Sequence, residues 1–238
     1  MTITLKDVSV SLGEELVLES IGLSIDQGLS FILGLNGSGK TTLLNCLSKS
    51  VPYKGDISIL GTSIQKMSPK EFARTVSIVH QKWSIPFRIS VFDFVLMGRF
   101  PYLNWLGSYS KLDRGLVLRN LEQLQIEHLK NRFIDQVSGG ELQRVFLCRA
   151  LAQDSPIMLL DEPAQSLDPP GKKDLYLLLK KLAQKGKTII CTTHDIETLP
   201  LMGSQVIGIR GGKVVFKGKV DSLSPEVQFQ IYESHLMN

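Results

Sequence analysis

Gly34-Leu35-Asn36-Gly37-Ser38-Gly39-Lys40-Thr41 places two glycines, a lysine and a hydroxyl at the spacing of a phosphate-binding loop. The chemistry follows from the residue types. A triphosphate carries several negative charges, and glycines at a helix N-terminus surround it with exposed backbone N–H groups while the helix dipole adds positive potential. Lys40 can reach the β- and γ-oxygens, Thr41 can hold Mg²⁺ through its hydroxyl, and Thr42 follows as the helix proceeds. A second constellation is Ile157-Met158-Leu159-Leu160-Asp161-Glu162, four apolar residues that deliver two acids to the end of a strand, where ligands of parallel sheets bind. Asp161 can hold Mg²⁺ directly or through water, and Glu162 can polarise an attacking water. The third is Val137-Ser138-Gly139-Gly140-Glu141, which enters the helical LQRVFLCRALAQ run and is expected to form a second, bare helix N-terminus for an anion. An ordinary Ser/Gly cap is the competing reading of that tripeptide.

These groups need elements that aim them. Residues 29–33 form a short apolar run ahead of the glycine loop, with the helical TTLLNCLSK behind it, so the order is strand, loop, helix. Residues 2–10 and 16–25 alternate apolar and polar and predict a hairpin around Gly13-Glu14-Glu15. Strands are expected at 55–60, 75–80, 157–160 and 187–192, with helices after Ser68-Pro69 and over 141–153 and 171–185. That alternation implies a parallel sheet with helices on its faces. Between 84 and 136 the strand pattern fades, and VFDFVLMG and RGLVLRNLEQLQIEHLK predict a helical insertion. A late hairpin turns at Arg210-Gly211-Gly212-Lys213, and SPEVQFQIYESHL is the expected closing helix.

Composition narrows the class. The 238 residues, 43% of them hydrophobic and 21% charged, suit one sizeable core and exclude disordered or collagen-like polymers. The net charge of +4 is spread along the chain, so nucleic acid is not an expected partner. The apolar runs fall short of a bilayer span and the start lacks a secretory pattern, which gives the expectation of a chain kept in the cytosol. Cys46, Cys148 and Cys191 lie far apart and are expected as small buried apolar residues.

On these motifs the chain resembles the ATP-binding subunit of an ATP-binding-cassette (ABC) transporter, over essentially its whole length. GLNGSGKTT (34–42), Gln81, VSGGE (137–141), IMLLDE (157–162), SLD (166–168) and TTHD (192–195) stand in that family's order. The resemblance implies an α/β P-loop NTPase fold of the ABC-ATPase type, a mixed sheet core with an antiparallel β subdomain and a helical insertion. It implies one domain over 1–238, with the helical signature subdomain at about 84–152. It further implies ATP and Mg²⁺ as cofactors and a head-to-tail homodimer, each nucleotide lying between one copy's Gly34–Thr42 loop and the other copy's Ser138, Gly139 and Gly140. By the same resemblance Gln81 touches Mg²⁺ or the water, His194 contacts the γ-phosphate and holds the water that Glu162 polarises, and Asp168 meets the opposite copy. One departure is Leu12, where the family usually has an aromatic ring for the base; losing a stack worth roughly 1–3 kcal/mol predicts a relaxed preference between ATP and GTP.

Partner choice rests on the insertion. Trp83, Phe87, Phe92, Phe94, Phe100, Tyr102, Trp105 and Tyr109 put 8 of 17 aromatic residues into 27 positions, a concentration typical of interface cores, though about half are expected to form the insertion's own core. The resemblance assigns this region and Gln81 to the groove for a cytoplasmic helix of a permease at the inner face of the membrane. Gly98-Arg99-Phe100-Pro101-Tyr102 is similar to importers of iron–siderophore, heme or cobalamin, which work with a substrate-binding protein; manganese and zinc importers carry a close variant. A soluble ATPase of translation or repair is the non-transport alternative, and a small-molecule P-loop kinase would need neither VSGGE nor SLD.

Overall fold

The strand-forming runs sort into two sheets, one of which divides its side chains between two cores. The computed structural model describes residues 2–81, 85–103, 107–194, 196, 199 and 205–232. β1 (Ile3–Leu12) and β2 (Glu15–Ile25) make the expected hairpin; β3 (Gly28–Leu33) leaves it for the second sheet. β4 (Lys54–Ile59) and β5 (Thr62–Ser63) complete an antiparallel sheet in the order β2-β1-β4-β5. The second sheet contains β3, β6 (Val76–Val79), β7 (Ile157–Asp161), β8 (Thr188–Thr192), β9 (Gln205–Arg210) and β10 (Lys213–Lys219), in the order β10-β9-β3-β8-β7-β6. Its pairings are parallel except for the antiparallel edge strand β10. The mixed sheet and the antiparallel unit both match the expectation.

Period-two geometry explains why the central strands are apolar without interruption. From β3, Leu29, Phe31 and Leu33 face one core while Ile32 faces the other; β7 sends Met158 and Leu160 one way and Ile157 and Leu159 the other. One core packs this sheet on the antiparallel sheet and on α1 (Lys40–Leu47). The other receives α3 (Val91–Leu96), α4 (Lys111–Gln123), α5 (Gly139–Ala152) and α6 (Pro169–Gln184). Cys46, Cys148 and Cys191 are free, buried thiols as expected, and burial pushes the Cys46 thiol up to about 12. α2 (Pro69–Thr75) opens with the expected cap: Ser68 Oγ accepts from Glu71 N, and the Glu71 carboxylate accepts from Ser68 N.

Two helical expectations are corrected. RGLVLRNLEQLQIEHLK is not one helix: α4 starts at Lys111, where Ser110 and Asp113 form a reciprocal cap, and stops at Gln123. Gln125 then takes a left-handed φ of 58° and a 3-10 turn follows at Glu127–Leu129. VFDFVLMG ends its α-helix at Leu96, because Pro101 lies within the next stretch and Met97–Tyr102 winds as 3-10 instead. Of the closing helix, α7 (Pro225–Tyr232) is described, and its remainder lies outside the described residues, as do Trp83, Ser84, Trp105 and Asp195.

The Gly98–Tyr102 stretch is largely a packing device. A Cβ at Gly98 would stand 2.4 Å from the Arg149 carbonyl oxygen of α5, so only glycine lets the backbones meet. Arg99 is buried, donates to Asp113 at 2.8 Å and to the Ala152 carbonyl at 2.9 Å, and lies over the Tyr102 ring. Burial by itself would raise the Asp113 carboxyl, but hydrogen bonds from Ser110 and Arg99 outweigh it and hold the group below its ordinary value. A folded pKa depressed in this way contributes stability above the unfolded value of about 3.9 and loses it as pH falls through the folded value. Arg99→Ala removes the cation from Asp113 and the donor from the Ala152 carbonyl while the Ser110 donors remain, so urea denaturation at neutral pH should show a loss of about 2 kcal/mol.

Candidate functional site

β3 ends at Leu33, and the loop 34–39 turns its chain into α1. Gly39 serves as the N-cap with φ 106° and no side-chain cap, so the amides of the first turn are left for a ligand. A Cβ there would sit 2.6 Å from Leu18 Cδ2, which ties the loop's shape to the hairpin above it. Ser38 Oγ is buried with no hydrogen-bond partner among the described residues, and Ser38 is outside the cavity lining. Lys40 is buried at the loop's base, and its Nζ donates to the Gly34 and Leu35 carbonyls at 2.9 Å each. Burial pushes its pKa below the ordinary value, while the carboxylates of Glu162 and Asp161 pull it up.

The carboxylates arrive from β7. Asp161 ends that strand in register with Thr192 of β8, and its Oδ1 accepts from Thr192 Oγ1 at 2.6 Å and Thr41 Oγ1 at 3.2 Å. One carboxylate thus ties the phosphate loop to the sheet. Glu162 N donates to Thr192 Oγ1 at 2.9 Å, and the residue holds φ 46°, a left-handed conformation that a non-glycine residue adopts at a cost. Its Oε2 accepts from Gln81 Nε2 at 3.2 Å and lies 3.5 Å from His194 Nδ1. Gln81 comes from the end of β6 and His194 from the end of β8. Three neighbouring parallel strands therefore converge their termini on one point.

A cavity of about 660 Å³ joins these groups. Gly34, Leu35, Asn36, Gly37, Gly39, Lys40, Thr41, Thr42, Gln81, Glu162 and His194 line it, and Asp161 stands behind Thr41. Four lining residues were not expected: Glu15 and Val17 of β2, Gln165 after β7, and Tyr232 of α7, whose phenol is pushed up to about 12 by burial. Gln165 is three residues past Glu162, the one sequence signal available; the others depend on tertiary placement.

Other expected residues lie elsewhere. Leu12 is exposed at the end of β1, opposite Glu15, and is outside the cavity lining. Ser138, Gly139 and Gly140 begin α5 away from the cavity, and the terminus is not bare as expected: Ser138 N and Oγ both donate to the Glu141 carboxylate at 2.8 Å. The serine hydrogen is already engaged there because Glu141 occupies the third helical position. Asp168 caps α6 by accepting from Gly171 N at 3.1 Å. Of the insertion's rings, Phe94 is buried, whereas Phe87 is 54% and Phe100 70% exposed, a split between core and surface as expected. No helix among the described residues is long and apolar enough to cross a membrane.

Comparison with known proteins identifies the family. The ABC transporter family profile matches residues 18–165. The petrobactin import ATP-binding protein YclP of Bacillus subtilis is 32% identical over 97% of this chain and 92% of its own length. The phosphonates import ATP-binding protein PhnC of Staphylococcus epidermidis is 37% identical over 97% of this chain and 94% of its own. A bacterial ABC transporter cassette solved as a dimer superposes with a TM-score of 0.80 at 30% identity, covering 92% of this chain and 98% of that one. A phosphate cradle, paired strand-end carboxylates and this ancestry together place the chain in the ABC transporter family, as an ATP-binding subunit that hydrolyses ATP.

Proposed function

We propose that this chain powers an importer from the cytoplasmic face of the membrane, as one of two identical copies bound to permease subunits and served by a substrate-binding protein. The observation that carries the reading is the meeting of Lys40, Thr41, Asp161, Glu162, Gln81 and His194 at one cavity. The donor set suits Mg²⁺: hydroxyl, carboxylate and amide oxygens are hard ligands, and a magnesium site needs only one or two protein groups beside phosphate oxygens. Thr41 and Asp161 would hold it, with Gln81 alongside, and the ion would supply positive charge to the β- and γ-phosphates. Lys40 releases the Gly34 and Leu35 carbonyls to bind those oxygens, Glu162 takes a proton from the attacking water, and His194 steadies that water. Gly139 and Gly140 of the second copy cover the terminal phosphate, since this chain's own α5 terminus stands apart from its cradle.

Docking falls to the groove between α2 and the Met97–Tyr102 turn, lined by Pro69, Lys70, Ala73, Phe100, Pro101 and Leu103, of which the last three belong to the helical signature subdomain of about 84–152. Phe100→Glu should abolish co-purification with the permease while leaving the isolated chain's hydrolysis within about twofold. Retained co-purification would remove the groove from the reading. For cargo we infer a metal chelate of the iron–siderophore, heme or cobalamin kind, supported by the Gly98–Tyr102 resemblance and by YclP. Phosphonate is the second reading, favoured by the identity to PhnC. Vesicle uptake of each labelled cargo by the assembled complex separates them.

A further inference from the structure

Gln165 is used by none of the roles above, yet it touches the catalytic network. It follows the turn closed by its own N–H on the Glu162 carbonyl, is exposed, and lines the nucleotide cavity. Its Oε1 accepts from Gln81 Nε2 at 2.8 Å, and the same nitrogen donates to Glu162 Oε2 at 3.2 Å. A primary amide nitrogen has two hydrogens, so these two acceptors engage both. The Gln81 side chain is thereby fixed in direction: its nitrogen faces Glu162 and Gln165, and its oxygen is the atom left for a cation or a water.

We propose that Gln165 is a positioning residue for hydrolysis, acting through Gln81. The Glu162 carboxylate already favours the nitrogen on its side, but with that single acceptor the amide keeps rotational play about its last bond; a second acceptor on the same nitrogen narrows it. The contact also ties the segment after β7, which leads through Leu167 to the Asp168 cap of α6, to the segment that follows β6. The proposal rests on the roles given above to Gln81 and Glu162.

The test is a double-mutant cycle in the full chain. Gln165→Leu keeps the side chain's bulk and removes the acceptor. It should lower kcat about fivefold with KM for ATP changed by less than about twofold, while Gln81→Ala lowers kcat about tenfold. The double variant should be no slower than Gln81→Ala within about twofold, because the second change removes nothing once Gln81 is gone. Multiplying effects would overturn the proposal, as would a raised KM with unchanged kcat or a fully active Gln165→Leu beside an impaired Gln81→Ala. A fully active Gln81→Ala would remove the role of Gln81 itself and the proposal with it. ATP-driven dimerisation, followed by size-exclusion in the Glu162→Gln background, should survive addition of Gln165→Leu; its loss would make Gln165 a contact to the second copy instead.

Discussion

Glu162→Gln is expected to keep the chain folded and able to take up ATP, yet to slow hydrolysis about a thousandfold. The substitution preserves shape and the left-handed backbone, and the donation from residue 162 N to Thr192 Oγ1 at 2.9 Å does not involve the side chain. The cradle is untouched, since Lys40, Thr41 and Asp161 make their contacts independently of Glu162 Oε2. What disappears is the acceptor for a proton, because an amide oxygen is too weakly basic to take one from water. Binding energy without turnover should then accumulate the two-copy, ATP-loaded state. Single-turnover kinetics, nucleotide retention and size-exclusion with ATP read the three parts separately. Wild-type turnover in this variant would contradict the role of Glu162.

Lys40→Ala should fail one step earlier, raising the Kd for ATP at least about a hundredfold. The ammonium is a buried charge at the base of the cradle, beside two carboxylates whose field favours its charged form. Removing it deletes the donor to the phosphates and leaves Asp161 and Glu162 uncompensated where a polyanion must arrive, so two effects act in one direction. The fold should tolerate the change, as the Gly34 and Leu35 carbonyls border an open cavity and can be solvated. Calorimetric titration with ATP against thermal unfolding separates lost affinity from lost structure. Unaltered affinity would take Lys40 out of the binding site.

The cradle and the central strands were legible in the sequence for one reason: their requirements are local. A loop that must show its amides needs Gly37 and Gly39, and a strand buried on both faces must be apolar throughout, as in Ile157–Leu160. Gln125 was illegible because its left-handed turn carries neither glycine nor asparagine, and the apolar spacing of Leu121, Leu124 and Leu129 runs on across the break. In the sequence Gly98 and Arg99 mark an importer class by resemblance; their contacts to Arg149, Asp113 and Ala152 give them a structural duty that no spacing reveals. Tyr232 and Val17 reach the cavity through the pairing of distant segments, and Gln165 gains meaning only when the ends of β6 and β7 are set side by side.

Glu162 sits where the main chain would be more at ease with a glycine, at φ 46°. The molecule therefore carries the carboxylate to which we assign the proton transfer at a position where replacement by glycine should harden the protein against heat and remove that group at once. Directed evolution that rewarded only thermal endurance would drift toward an inert variant at this very codon.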